Sequence, residues 1–321
     1  MKNRLFTVIP CYNEEEVLSE TARRLREKYT ALMQSGQIAK DSRIAFVNDG
    51  SSDRTWQIIC DLHAQDPVFT GIDLSRNRGH QNALIAGLLT VKAHADMVIS
   101  MDADLQDDID AMDEMIQKYH EGCDIVYGVR NSRKKDSFFK RTTAEAFYRL
   151  MNRLGAKTVF NHADYRLMSR RALDGLAQFR EVNLFLRGLV PMIGYRTDTV
   201  LYERHERFAG ESKYPLKKML SFAFEGITSL STKPIRMISA LGFLLFFISI
   251  LMSIIFIVEF FLGQTVSGWA SLIVSIWAIG GLLMLAIGVV GEYIGKIYME
   301  VKDRPRFLIA RFLEEEDEHE E

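Results

Sequence analysis

A chain of 321 residues has room for two domains, or for one domain and a membrane anchor. Its formal net charge of −2 at pH 7 excludes a global electrostatic case for nucleic acid. Three cysteines, Cys11, Cys60 and Cys123, are odd in number and lack metal-ligand spacing, so they read as reduced residues of a cytosol-facing domain.

The N-terminus opens on the strand-like Leu5-Phe6-Thr7-Val8-Ile9 and lacks the charged and apolar regions of a signal peptide. Further strands are predicted at Arg43–Val47, Thr70–Leu74, Met97–Ile99 and Asp124–Tyr127. Between them Glu15–Met33, Thr55–Gln65, Gln81–Ala93 and Asp110–Glu121 carry apolar residues at helical spacing. Such alternation predicts an α/β fold with a mostly parallel sheet covered by helices on both faces. The stretch from Arg130 to Arg153 is basic, with Asp136 and Glu145 as its only acids. An amphipathic segment at 215–234 suits either the membrane interface or a surface helix.

Met237–Val258 and Trp269–Gly291 contain no charged residue. A helix needs roughly 20 apolar residues to cross a bilayer core, so transmembrane helices are predicted at 235–262 and 269–292. Lys233 and Arg236 precede the first, Lys296, Lys302, Arg304 and Arg306 follow the second, and the link Phe261–Gly268 has no Lys or Arg. The positive-inside rule makes this a hairpin with both flanks in the cytoplasm. Residues 293–321 read as a cytoplasmic tail, basic and then acidic.

Four loops follow the first four strands. Pro10-Cys11-Tyr12-Asn13-Glu14 and Asn48-Asp49-Gly50-Ser51-Ser52-Asp53 come first, then Ser75 to Asn82, then Met101-Asp102-Ala103-Asp104-Leu105-Gln106-Asp107-Asp108. All lie at the sheet edge where open α/β sheets bind ligands. Asp102, Asp104 and the Gln106 amide offer hard oxygens suited to Mg²⁺ or Mn²⁺, which could bridge to a diphosphate. The alternative is an acidic surface loop capping the helix that begins near Asp108. No GxGxxG and no GxxxxGK[ST] is present, which speaks against a dehydrogenase and a P-loop NTPase.

The motifs PCYNE, NDGSSD, LSRNRGHQNAL, MDADLQDD and YGVR, in this order, resemble those of family-2 glycosyltransferases with the GT-A fold. HADYRLM at 162–168, RFAGESKY at 207–214 and two apolar spans extend the resemblance to dolichol-phosphate-mannose-synthase-like enzymes and bacterial polyprenyl-phosphate (bactoprenol) glucosyltransferases. It implies a GT-A, Rossmann-like catalytic domain at 1–214 followed by the transmembrane hairpin. The implied reaction is inverting transfer of a hexose from a nucleotide sugar to polyprenyl phosphate. The expected pair is UDP-glucose and undecaprenyl phosphate on the cytoplasmic leaflet of the cell membrane, supplying cell-envelope glycosylation. N-acetylglucosamine, mannose from GDP-mannose and amino-arabinose are alternative sugars.

By position, the resemblance implies that Pro10, Tyr12, Glu14 and Asp49 hold base and ribose. Asp102 would reach ribose and metal, and Asp104 with Gln106 would hold the Mg²⁺ or Mn²⁺ ion. Arg130 and Arg141 would meet phosphate, with Ser212 and Lys213 closing over the same region. Asp164 would be the catalytic base, although an acceptor phosphate with a second pKa of about 6 needs little proton removal at neutral pH. Asp164, Asp104 and Arg130 are therefore the expected catalytic residues. Homo-oligomers, tetramers among them, are a further expectation of the family. Rival readings are a non-catalytic nucleotide-sugar-sensing scaffold, opposed by the intact Asp102, Asp104, Gln106 and Asp164, and a flippase, for which the spans are too few.

Overall fold

The computed structural model describes residues 2–131, 162–182, 184–204, 232–262 and 268–313. Its described part divides into two compact units. The first is an α/β layer structure built on an eight-stranded sheet of order β7-β5-β6-β4-β1-β2-β3-β8. The strands are β1 Leu5–Cys11, β2 Arg43–Asn48, β3 Phe69–Leu74, β4 Met97–Ser100, β5 Ile125–Arg130, β6 His162–Ser169, β7 Thr197–Tyr202 and β8 Ile309–Phe312. Six of them run parallel; β6 is antiparallel to β4 and β5, and β8 is antiparallel to β3. The mostly parallel sheet expected from the alternation is present.

Every residue of β1 is buried, which is why this central strand reads as a continuous apolar run and not as an alternation. Its two faces still differ. Leu5 and Ile9 of β1, Ile44 and Phe46 of β2, and Met97 and Ile99 of β4 share one core with helices α1 (Leu18–Gln34), α2 (Thr55–Gln65) and α4 (Ala111–His120). Phe6, Val8, Ala45, Val47 and Val98 share the other with α3 (His80–Val91), α5 (Arg170–Leu176) and α6 (Leu186–Met192). The period-2 alternation of strand side chains sorts these two sets. One polar residue intrudes: buried Thr7 exchanges a 2.7 Å hydrogen bond with Tyr29 Oη, so neither hydroxyl is left unsatisfied. α3 lies so close to the sheet that a Cβ on Gly87 would stand 2.5 Å from Val8 Cγ1 and 2.6 Å from Val47 Cγ2. Ala is preferred over Gly in a helix interior by about 1 kcal/mol, but stiff β-branched neighbours leave no room for it here.

Elements differ from the sequence reading mainly late in the chain. β6, β7, α5 and α6 were not anticipated, because their segments are short and lack a sustained period. The predicted C-terminal tail also needs correction. Within it, β8 pairs with β3, placing Phe312 opposite Ile72 and Arg311 opposite Asp73. Leu313 N–H adds a 2.8 Å bond to the Gly71 carbonyl. A four-residue strand gives too weak a periodic signal to be read against a charged background.

The second unit holds two long helices, α7 (Lys233–Phe261) and α8 (Trp269–Val301). Ala278–Val301 within α8 is long and apolar enough to cross a membrane, with a mean hydropathy of 1.8. α8 runs nine residues past the predicted end at 292. Most of the amphipathic segment at 215–234 and the acidic run from 314 lie outside the described residues.

Candidate active site

The parallel strands β1 to β5 and β7 all end at one edge of the sheet, and antiparallel β6 begins there. The first two loops are knitted together by short polar side chains. Asn13 takes φ of 54°; its Oδ1 accepts from Ser52 N–H at 2.9 Å and its own N–H donates to Ser51 Oγ at 3.0 Å. Glu14 N–H donates to Thr55 Oγ1 at 2.9 Å. Pro10 is buried at the end of β1, whereas Tyr12 is 48% exposed, as a ring offered to a planar ligand would be.

Asp49 shapes the third loop. Its Oδ1 accepts from Arg78 N–H at 2.7 Å and its Oδ2 from Gly79 N–H at 2.8 Å. Burial raises this carboxyl and the two N–H groups oppose the rise. Gly50 beside it has φ of +63°, and a Cβ there would stand 2.5 Å from Asn77 N, so the two loops meet only because this position is glycine.

The fourth loop turns on Leu105, a non-glycine residue with φ of 57°; such local strain is tolerated where the surroundings enforce it. Gln106 N–H donates to Asp104 Oδ1 at 3.2 Å, and the Gln106 side-chain oxygen accepts from Arg204. Asp102 Oδ1 lies 3.5 Å from His80 Nε2, and the same nitrogen is 3.8 Å from Asp164 Oδ2. His80 thus stands between the acidic loop and the start of β6.

Asp164 is held by two guanidinium groups. Arg166 Nη2 donates to its Oδ1 at 2.5 Å and Arg187 Nη2 to its Oδ2 at 3.1 Å. Burial alone would raise this carboxyl, but Arg187 and Arg166 hold it well below the usual carboxylate range. Arg166 itself is 1% exposed, an arginine in the core whose charge depends on Asp164. On the other side of β6, Arg130 donates from Nε to Tyr202 Oη at 3.2 Å, and Tyr202 Oη donates to buried Asp107 Oδ1 at 2.5 Å.

The structure therefore gathers Pro10, Tyr12, Glu14, Asp49, Asp102, Asp104, Gln106, Arg130 and Asp164 at one sheet edge. Arg141, Ser212 and Lys213 lie outside the described residues. His80, Asp107, Arg166, Arg187, Tyr202 and Arg204 were not assigned from sequence. His80, Asp107 and Arg166 sit inside the motifs LSRNRGHQNAL, MDADLQDD and HADYRLM; Arg187, Tyr202 and Arg204 carry no local signal and arrive through the fold.

Among the described residues, no three His, Cys, Asp or Glu side chains stand close enough to hold a metal ion by themselves. The donors on the acidic loop instead suit a Mg²⁺ or Mn²⁺ ion whose shell is completed by phosphate oxygens and water. Burial pushes the Asp102 carboxyl up to about 6; His80 opposes this, while Asp107, Asp164 and Asp104 add to it. A divalent ion would relieve that crowding of like charge, so the residues fit one.

The glycosyl transferase family 2 profile matches residues 7–176, just over half of the chain and the part that carries all four loops. The chain belongs to glycosyltransferase family 2. Among family members it is 57% identical over 305 residues to the glycosyltransferase YkoT of Bacillus subtilis (strain 168), covering 95% of this chain and 90% of that one. It is 40% identical over 310 residues to the SfII prophage-derived bactoprenol glucosyl transferase of Shigella flexneri, covering 96% and 98% of the two chains. Among solved structures, the mannosyltransferase PcManGT of Pyrobaculum calidifontis is similar over 94% of this chain and 87% of its own, with 16% identity and a TM-score of 0.44.

The two carboxylates should respond oppositely to neutralisation. Asp164→Asn leaves the Arg166 cation uncompensated in the core and should cost about 3 kcal/mol of stability or more. Asp104→Asn removes one member of a crowded acidic set and should leave stability unchanged or slightly raised. Denaturant unfolding of the purified variants checks this; equal losses for both would contradict the charge assignment.

Proposed function

We propose that this chain is a membrane-anchored inverting hexosyltransferase that moves glucose from UDP-glucose onto polyprenyl phosphate, undecaprenyl phosphate in bacteria, at the cytoplasmic leaflet. The observation that carries the reading is the convergence of the Asp102–Gln106 loop, Arg130 and Asp164 at one edge of a family 2 sheet. The name borne by relatives about 40% identical over nearly their whole length, bactoprenol glucosyl transferase, supports the choice of sugar and lipid.

In this reading Tyr12 faces the base, and Pro10, Glu14 and Asp49 shape the base and ribose pocket. Asp102, Asp104 and Gln106 would hold Mg²⁺ or Mn²⁺, which supplies charge neutralisation at the diphosphate. Arg130 meets phosphate with a planar fork suited to bidentate contact. Arg141, Ser212 and Lys213 keep the phosphate-binding role implied by the family resemblance. One acceptor phosphate oxygen attacks the anomeric carbon from the face opposite the diphosphate. The new C–O bond forms as the bond to the diphosphate breaks, and that electron pair leaves with UDP.

Asp164 is a poor general base in this setting, because its two arginines make it weakly basic. Its fixed negative charge instead orients the acceptor and stabilises positive charge developing at the sugar carbon. An acceptor that arrives as a dianion has no proton to surrender.

Connectivity supports a two-span anchor. The chain leaves the sheet after Tyr202 in β7 and rejoins it at Ile309 in β8. A sheet lies on one side of a membrane, so the number of crossings in between is even. If α8 crosses, α7 crosses too, and both flanks stay with the catalytic unit. The relatives' names do not support the expected oligomer, and the reading does not need one.

Membranes containing the protein should convert labelled UDP-glucose into a chloroform-soluble, lipid-linked sugar. The yield should vanish with chelator or with Asp104→Asn and return on adding Mg²⁺ or Mn²⁺ to the wild type. Product from N-acetylglucosamine, mannose or amino-arabinose donors alone would reassign the sugar; no lipid-linked product from any donor would overturn the reading.

The rate should also fall below a midpoint near pH 6, close to the acceptor's second pKa of about 6. Because Asp164 is already ionised far below that pH, the acid limb should persist in Asp164→Asn, on a much lower kcat. A limb that disappears in the variant would restore Asp164 as the base.

Single cysteines at Gln264 or Ser267 should react with an impermeant thiol reagent on intact cells, and one at Arg306 only after the membrane is opened. Labelling at Arg306 from outside would refute the hairpin.

A further inference from the structure

Asp107 sits on the acidic loop, one residue beyond Gln106, yet its side chain is only 1% exposed. Its Oδ1 accepts the 2.5 Å bond from Tyr202 Oη and lies 3.5 Å from Arg130 Nη2. Tyr202 Oη accepts in turn from Arg130 Nε at 3.2 Å. The guanidinium of Arg130 is therefore gripped at two nitrogens by one phenol–carboxylate pair. The three residues come from three places at the sheet edge: the loop after β4, the last residue of β5 and the last residue of β7. Because β6 lies between β4 and β5, the contact from Asp107 to Arg130 arches over the start of β6, two residues from which stands Asp164. Tyr202 is fixed in turn, its ring edge-on to Tyr165 with centroids 5.3 Å apart, and Tyr165 Oη donates to the Asp108 carbonyl at 3.0 Å.

As a purely structural device this cluster is uneconomical. Among the described residues Asp107 Oδ2 is buried with no hydrogen-bond partner, and a buried carboxylate in that state lowers stability relative to an apolar residue of similar size. What the cluster does supply is a single orientation for a long, rotamer-rich side chain. A guanidinium fork recognises phosphate through its plane, so holding that plane before the ligand arrives removes an ordering cost from binding and from the transition state.

We propose that Asp107 and Tyr202 are positioning residues for the transfer reaction, fixing the Arg130 guanidinium above the start of β6 so that it meets phosphate in one orientation. The inference rests on the phosphate role given to Arg130 in the proposed function.

The test uses the full-length protein in membranes or detergent, with Tyr202→Phe, Asp107→Asn and Arg130→Ala made singly and the first two also combined with the third. Tyr202→Phe keeps the ring and its packing, so it carries the test even where buried Asp107→Asn fails to fold. Affinity for UDP is read by calorimetry, transfer by kcat and KM for donor and acceptor, and folding by thermal unfolding. Tyr202→Phe should lower kcat/KM by about tenfold while melting within a few degrees of the wild type. In the Arg130→Ala background the same change should have little further effect, because the residue it positions is gone. Full additivity of the two losses would overturn the proposal, as would wild-type kinetics for Tyr202→Phe. If Arg130→Ala itself leaves UDP affinity and both KM values unchanged, Arg130 has no phosphate role and the proposal falls with it. That failure is distinct from failure of the glycosyltransfer reading, which is marked by the absence of lipid-linked product from the wild type.

Discussion

Five carboxylates, those of Asp49, Asp102, Asp104, Asp107 and Asp164, are brought to one edge of one sheet, and most of the local architecture manages their mutual repulsion. Asp49 is satisfied by two backbone N–H groups. Asp107 has one oxygen bonded to a phenol, with Arg130 close by. Asp164 lies between Arg166 and Arg187. Asp102, which burial pushes up to about 6, faces His80 Nε2 at 3.5 Å. Each solution uses a different donor, and together they leave a site whose remaining negative charge suits a divalent ion on a diphosphate.

The sheet makes this concentration of charge possible. Parallel strands joined by crossover helices all deliver their following loops to the same side. Antiparallel β6 then brings Asp164 to that side from the opposite direction, directly beside β4. Ser100 Oγ, at the end of β4, donates a 2.6 Å bond to the Asp164 carbonyl and fixes that junction. A wholly parallel strand order would have carried Asp164 to the far edge.

The arginine pair around Asp164 has a chemical consequence. Stabilising a carboxylate by two guanidiniums lowers its affinity for a proton, so the same contacts that keep it charged make it a weak base. A dianionic phosphate acceptor removes the need for one. In the proposed reaction the site would act chiefly through fixed charges: positive around the phosphates, negative beside the sugar carbon. Electrostatic preorganisation of this kind operates without reorganisation during the reaction.

Much of this was legible in the sequence. The strands β1 to β5, the helices between them and the four loops followed from apolar periodicity and from turn residues at strand ends, because both are local consequences of side-chain spacing. The identities and separation of Asp102, Asp104 and Gln106 mark them as hard oxygen donors, and the structure places them on one loop at the sheet edge. What the sequence could not supply was any pairing that depends on strands distant along the chain. Arg166 shares β6 with Asp164, two residues on and so on the same face, but that strand carries too weak a period to be recognised. Arg187 and Tyr202 belong to segments with no motif; helix α6 brings the first to Asp164, and the pairing of β5 with β7 brings the second beside Arg130 and Asp107. β8 is the extreme case: four residues near the C-terminus, read as part of a charged tail, complete the sheet begun at Leu5. Residue spacing determines which atoms are available and how each short segment is shaped. Which charges face one another is decided by strand order and register, and these are properties of the whole buried core.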